Sequence, residues 1–482
     1  MHRNGTRFRW VGTVVGLALA VLVVLVATGR LTPDTFAGDP RPQLAPPSAR
    51  PSLPGIAGPA GAQAGTDATR AEIARNFALI QKDANDVAAY VGLGYAYLQS
   101  VREVGDPGDY KRAETSFKEA LKRDPNTPGA LLGQAQLALA RHQFREALAL
   151  AEQVVAMDPG GRLALGPLAD AQTELGRYDE AAATVQRMVD LRPDLPSYSR
   201  VSYQRELRGQ IDGAVDAMRR ALGAGAANLE NREYIRVLIG NLFYLKGDLA
   251  RADAAYRSSL AVYPDFVFAL AGQARVHSAR GEFAEAIDLL QRAVDRIPLP
   301  EFVIALGETQ EAAGRGDDAR STYQLVALIQ DLFKSNGVNT DLELALFQAN
   351  HGIHPPAAVE LARAAYEAQP NIKAADALGW ALYKAGSLDE AAKYAAEALK
   401  LGTRDGLYLF HAGMIAKARG DAAAAADHLT RALELNPYFS PLYVPQARDA
   451  LAQLGKPLPA VPSFEPLPSF PALPASPAPT AG

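Results

Sequence analysis

The sequence has no cysteine. Disulfides, thiolate zinc sites, cysteine nucleophiles and a lipidated N-terminal cysteine are excluded together. A surplus of one charge is missing too: 49 Lys and Arg stand against 53 Asp and Glu. The basic surface that nucleic-acid affinity requires is therefore not expected. Aromatic residues make up only 7% of the chain, and there are 7 histidines. No HExxH, GxSxG, phosphate-loop or dinucleotide glycine pattern occurs, which argues against the commonest hydrolase and nucleotide-binding classes. Acidic residues are too numerous to single out a catalytic pair, so neither an enzyme nor a cofactor is expected.

What is abundant is small and apolar. Hydrophobic residues are 48% of the 482, with many alanines, a composition suited to closely packed helices rather than to a sheet sandwich.

Residues 1–9 carry Arg3, Arg7 and Arg9 and precede an uncharged apolar run at 10–28, WVGTVVGLALAVLVVLVAT. At 1.5 Å of rise per residue the run nearly spans a bilayer core of about 30 Å. The arginines before it, against Arg30 after it, place the N-terminus in the cytoplasm and the rest outside. Trp10 sits where an interfacial aromatic belongs. This reads as a single-pass signal anchor with an extracytoplasmic body. The competing reading is a signal peptide cleaved near Ala27-Thr28-Gly29, which frees an exported protein. Gly12 and Gly16 form a small-xxx-small pair that suits a homodimer of spans, or is a chance pair in an apolar run. Residues 29–66 and 456–482 are rich in Pro, Ala and Gly and read as an extended linker and a disordered tail. The tail twice carries Pro-Ser-Phe, at Pro462 and Pro468, which could also serve as a polyproline ligand.

Between these, over 67–455, one alanine returns every 33 to 39 residues: Ala113, Ala147, Ala181, Ala214, Ala252, Ala286, Ala319, Ala358, Ala391 and Ala425. Prolines follow in phase 12 residues later, at Pro125, Pro159, Pro193, Pro264, Pro298, Pro370 and Pro437, where a helix must stop. Glycines fall five residues before the alanine, at Gly176, Gly209, Gly247, Gly281, Gly314, Gly386 and Gly420. Each unit thus reads as helix, glycine turn, helix, proline.

The pattern resembles the tetratricopeptide repeat family, whose unit of about 34 residues carries aromatic, Leu-Gly, Tyr, then Ala, Phe, Ala and Pro at fixed offsets. Tyr90, Leu93, Gly94, Tyr97, Ala113, Phe117, Ala120 and Pro125 match it, with extra residues assigned to the turn around Asp106 to Asp109. Ile239, Gly240, Phe243, Gly247, Ala252, Tyr256 and Pro264 match it again. The resemblance implies an all-α, right-handed superhelical solenoid of about ten helix-turn-helix repeats with a terminal capping helix over Pro445 to Leu454. A small residue on the first helix (Gly94, Ala135, Ala169, Ser202, Gly240, Ala274, Gly307, Gly379, Gly413) is expected to face the recurrent alanine, so that neighbouring units share one core. Unit four breaks at 223–231, unit seven runs on through Leu328 to Asn336, and unit eight has Leu346 at the small-residue position.

In this family the first helices line a concave groove. The resemblance implies that Tyr203, Glu206, Tyr234, Asn241, Tyr244, Phe268, Arg275, Glu301, Glu308, Glu311, Glu343, Phe347, Asn350, Lys373, Asp376, Trp380, Tyr383, Phe410, Met414 and Lys417 point into it. Such a wall suits a partner peptide or helix, because rigid rings bury much area at little entropic cost. The alternative for any single ring is packing between helices, and for Glu301, Glu308 and Glu311 a solvated helix face. Asn241 fits one position of the carboxylate clamp of some family members, but Val237 stands where a lysine is needed. His351 and His354 are the weak metal candidates, lacking a strong third ligand. The expected function is a protein-interaction scaffold or assembly factor in the cell envelope; an accessory metal or enzyme-delivery protein and a structural spacer are the alternatives.

Overall fold

The computed structural model describes residues 60–226 and 229–461. The apolar run at 10–28, with Gly12 and Gly16, and the tail beyond residue 461 lie outside the described residues. Those described form 22 helices and no strand. An opening helix α1 (Ala60–Lys82) is followed by ten pairs: α2 (Val87–Val104) and α3 (Gly108–Arg123); α4 (Pro128–Ala140) and α5 (Phe144–Met157); α6 (Leu165–Glu174) and α7 (Tyr178–Leu191); α8 (Leu195–Leu207) and α9 (Ile211–Gly223); α10 (Leu229–Leu245) and α11 (Leu249–Val262). The second five are α12 (Val267–Ala279) and α13 (Phe283–Arg296); α14 (Pro300–Ala312) and α15 (Gly316–Ser335); α16 (Asp341–Asn350) and α17 (Pro355–Ala368); α18 (Ile372–Lys384) and α19 (Leu388–Ala398); α20 (Gly406–Ala418) and α21 (Ala422–Leu435). The single helix α22 (Tyr443–Gln453) closes the array. This is the all-α superhelical solenoid of helix pairs.

The single-pass membrane localisation is corrected: among the described residues no helix is long and apolar enough to cross a membrane. The two longest show why. Helix α1 carries Asp67, Arg70, Glu72, Arg75 and Lys82, and α15 carries Asp317, Asp318, Arg320, Asp331 and Lys334.

Local chemistry sets the helix ends. Each of the seven in-phase prolines stands two residues beyond the last residue of a second helix. First helices start at Asp86, Asp194, Asn371 and Asp405, whose side chains accept from free N–H groups of the first turn. In unit one the extra residues do not lengthen the turn; they extend α2 to Val104, where Gly105 at φ 74° ends it.

All ten recurrent alanines are buried, but what faces the small residue of the first helix differs from expectation. Phe117, four residues past Ala113, lies between Gly94 of its own unit and Gly133 of the next, and a Cβ on either would come within 2.4 Å of its ring. Tyr256 is sandwiched the same way between Gly240 and Gly272. The glycines accommodate a ring that bridges two units, and the alanine lets the helix carrying that ring approach. At Gly379 the second helix's own backbone takes the ring's place: a Cβ there would lie 3.1 Å from the nitrogen of Ala395.

The superhelix closes on itself after five units. Asn371 Nδ2 donates to the Glu174 carbonyl (3.1 Å), Thr403 Oγ1 to Leu207 (2.5 Å) and Asn436 Nδ2 to Tyr244 (2.9 Å), across 192 to 197 residues of chain. Each acceptor belongs to the last turn of a first helix, whose carbonyls lack intrahelical partners. Loops that follow units eight, nine and ten therefore cap first helices of units three, four and five. The Asn339 N–H does the same for Arg141 (2.9 Å). The turns meet so closely that a Cβ on Gly176 would lie 2.3 Å from the Pro370 carbonyl oxygen.

Candidate functional site

First helices form the inner face of this coil, and the expected groove residues divide along it. Tyr203 on α8 and Tyr234 on α10 are 41% and 36% exposed. Yet the Tyr203 hydroxyl is held well above its usual range, first by loss of bulk solvent and then by Glu174 and Glu206. A side chain open to water whose hydroxyl is nevertheless short of bulk solvent lies on a concave face. Tyr234 meets Phe268 edge-on at 5.2 Å, and Phe268 meets Phe302 at 5.6 Å, making an aromatic run across three first helices.

Carboxylates gather on the same face. Burial, with Asp405 nearby, raises Glu206 to about 7. Burial, with Glu311 nearby, raises Glu308 to about 7. Glu174, Glu301 and Asp405 are also raised, in each case chiefly by burial. Opposing turns share these fields: Glu174 of unit three feels Lys373 and Glu343 of units nine and eight. Some acids have a resident cation, as Asp170 has Arg200 (2.5 Å) and Glu343 has Lys373 (3.7 Å).

Other expected groove residues are consumed by the fold. Asn241 Oδ1 accepts from Tyr256 (2.8 Å) and from Arg275, whose guanidinium lies 4.9 Å from the Tyr244 ring centre. The buried Tyr244 donates to the Tyr438 carbonyl across the turns (2.7 Å). At the far end Trp380 and Phe410 are 1% and 0% exposed. The cap helix covers them: Tyr443 stacks on Phe410 at 5.0 Å and meets Trp380 edge-on at 6.1 Å. Trp380 Nε1 donates to Asn350 (2.9 Å), Tyr383 stacks on Trp380 at 4.8 Å, and Asp376 holds the buried His411 at 3.0 Å. Phe347 is buried beside Tyr323.

The two metal candidates part company. His351 turns inward to Glu308 and Glu311, while His354 stays exposed at the start of α17. Among the described residues no cluster of three His, Cys, Asp or Glu could hold a metal ion. The sequence reading passed over Glu174, Tyr323, Asp405 and Tyr443. Tyr323 and Tyr443 lie on helices outside the first-helix series, and Glu174 and Asp405 sit at helix ends, so the groove rule could not select them.

The fold and its inner face define a helical-repeat interaction protein. Two tetratricopeptide repeat profiles match, one over residues 138–202 and the other over 98–141, 237–300, 271–335 and 377–440, together more than half the chain. The chain belongs to the tetratricopeptide repeat family, whose members act as protein-interaction scaffolds and whose fold is typically non-catalytic. A stretch of 270 residues, 55% of the chain, is 27% identical to the cellulose synthase operon protein C of Xanthomonas axonopodis pv. citri (strain 306) and spans 15% of that protein's length. Among solved structures, the human IFIT1 dimer with PPP-AAAA aligns with a TM-score of 0.42 at 15% identity, covering 77% of this chain and 90% of that one. A tetratricopeptide repeat protein from Parabacteroides merdae aligns with a TM-score of 0.37 at 15% identity, covering 50% and 98%.

Proposed function

We propose that the protein is an interaction scaffold that takes an extended segment of a partner protein along the inner face, between α8 and α14, and performs no chemistry on it. The observation that carries this reading is the pairing of exposed rings with a concave setting at Tyr203 and Tyr234. Rigid aromatic surface left uncovered on a concave face gains most from a ligand that fills it. The fixed helix array holds those rings in place before binding, which lowers the entropic cost of association. A concave face suits an extended chain better than a globular surface. Assembly of a larger complex is the role most compatible with such a groove.

A photo-crosslinking amino acid placed at Tyr203, at Tyr234 and at the outward-facing Lys393 tests this in the native cell. Products joined to one partner segment are expected from the two inner positions and not from Lys393. Identical products from all three positions, or none from the inner two, would refute the reading.

A further inference from the structure

The inner face carries an acidic pair, Glu308 and Glu311, without a resident lysine or arginine among the described residues. Glu308 and Glu311 stand one turn apart on α14, and among the described residues neither has a Lys or Arg within ion-pair distance. His351, on the turn after α16, lies between them: Nε2 is 3.8 Å from Glu308 Oε1 and Nδ1 is 3.8 Å from Glu311 Oε2. Both gaps are too long for hydrogen bonds. The His351 side chain is 10% exposed and its Nε2 has no hydrogen-bond partner, a costly arrangement for a buried polar atom unless a ligand meets it. Glu308 and Glu311 keep 21% and 46% of their side-chain surface open, so the pair can be reached.

The surroundings are built for a cation. Tyr323 fixes Glu311 by donating its hydroxyl to Oε2 (2.9 Å), and its ring lies 4.3 Å from that of His351. Phe347 packs 4.8 Å from the same imidazole. From the cap helix, Tyr443 comes close enough for both carboxylates to raise its hydroxyl further, and donates to the Asn350 carbonyl (3.3 Å). Lys384, whose charge is felt at His351, lies over the Trp380 ring at 4.7 Å.

We propose that Glu308, Glu311 and His351 form a subsite for one primary ammonium group, the side chain of a lysine in the partner segment. An ammonium has three donors, and the subsite offers three acceptors: one oxygen of each carboxylate, and Nε2 in the tautomer that carries its proton on Nδ1 toward Glu311. Tyr323 and Phe347 supply ring faces that attract the charge. Burial depresses His351 and so keeps it neutral, with its lone pair free. A guanidinium is planar and has no position from which to meet three converging acceptors. The inference rests on the inner-face reading above and adds to it which chemistry is read at α14.

The test is calorimetry of the full chain with a Gly/Ser peptide carrying spaced lysines, the same peptide with acetyl-lysine or arginine in their place, and spermidine. Glu308→Gln and Glu311→Gln remove charge while keeping shape, and they relieve repulsion, so both variants are expected to fold. Either should weaken the lysine peptide by about tenfold or more, and acetylation should do the same on the unaltered protein. A proton NMR shift of the His351 ring on adding the lysine peptide, absent with the acetylated one, is also expected. Unchanged lysine-peptide affinity in the doubly substituted protein overturns the subsite, as does equal affinity for the acetylated or arginine peptide, or binding of spermidine alone. If the peptides still bind and Tyr234→Ala weakens them, the inner-face reading survives that loss. If no peptide of any charge binds, the inner-face reading falls and the subsite with it.

Discussion

Two stretches of one inner face behave in opposite ways. Around Tyr203, Tyr234 and Glu308 the first helices present rings and acids on a concave, reachable face. Around Trp380 and Phe410 the same repeat positions are core, because α22 lays Tyr443, Ala447 and Leu451 over them. A repeat position is therefore not groove or core in itself. What packs above it decides, and in a superhelix that can come from another unit, another turn or the cap.

The comparison is broken most forcefully by truncating one ring in each stretch. Trp380→Ala removes a fully buried side chain with a hydrogen bond and should cost about 3–5 kcal/mol in denaturant unfolding. Tyr203→Ala should change stability by less than about 0.5 kcal/mol. Equal losses would mean that the two stretches do not differ as described.

The contact between turns bounds the open stretch, and two glycines isolate it. Gly176 and Gly281 have nearly the same backbone, φ 71° and 77°, but a Cβ on Gly281 meets nothing within 4 Å. Alanine at Gly281 should cost the left-handed strain alone, about 1–2 kcal/mol. Alanine at Gly176 adds the clash with Pro370 and should cost about 2–4 kcal/mol. It should also raise the radius of gyration in solution scattering, and Gly281→Ala should not. Equal costs and equal radii would show that the turns do not rest on each other.

A smaller effect separates the stretches by pH. Glu308 is raised from 4.5 to about 7, by burial and then by Glu311. The folded protein thus binds the extra proton that the unfolded chain releases between those values. The sign follows: the group costs nothing below about pH 4.5, and stability falls as pH rises to about 7. Glu308→Gln should leave stability unchanged at pH 4.5 and raise it on the order of 2–3 kcal/mol at pH 8. Unfolding curves for both proteins at the two pH values test this, and a gain of equal size at pH 4.5 would refute it.

The sequence carried the pairs, their phase and their stops, because in-phase alanine, glycine and proline act within one unit, where spacing suffices. The longer α15 was legible for the same reason. The ring sandwich was half legible: Phe117 and Tyr256 were in the pattern, but their second glycine lies on the following unit. Closure after five units was not legible, since it depends on superhelical pitch. Its agents, Asn371, Thr403 and Asn436, look like ordinary loop residues. Without the closure, Glu301 and Glu308 read as a solvated face, and without the placement of α22, Trp380 and Phe410 read as open groove.

Unit two carries the smallest test of closure. Where seven units have glycine five residues before the alanine, it has His142, at φ 58°. That backbone costs a residue with a Cβ about 1–2 kcal/mol. Against it, His142 Nδ1 donates across the turns to the Asn339 carbonyl at 2.8 Å, and the ring stacks on Phe144 at 5.7 Å. The hydrogen bond contributes about 1 kcal/mol and the stacking roughly 0.5 kcal/mol more. His142→Gly relieves the strain, loses both contacts and adds backbone entropy to the unfolded chain, so a net loss below about 1 kcal/mol is expected. Gly281→His, which meets no opposing turn, should suffer the strain with nothing to offset it. If His142→Gly instead stabilised the protein, the hydrogen bond to Asn339 would contribute too little to hold the turns together at that end of the ladder.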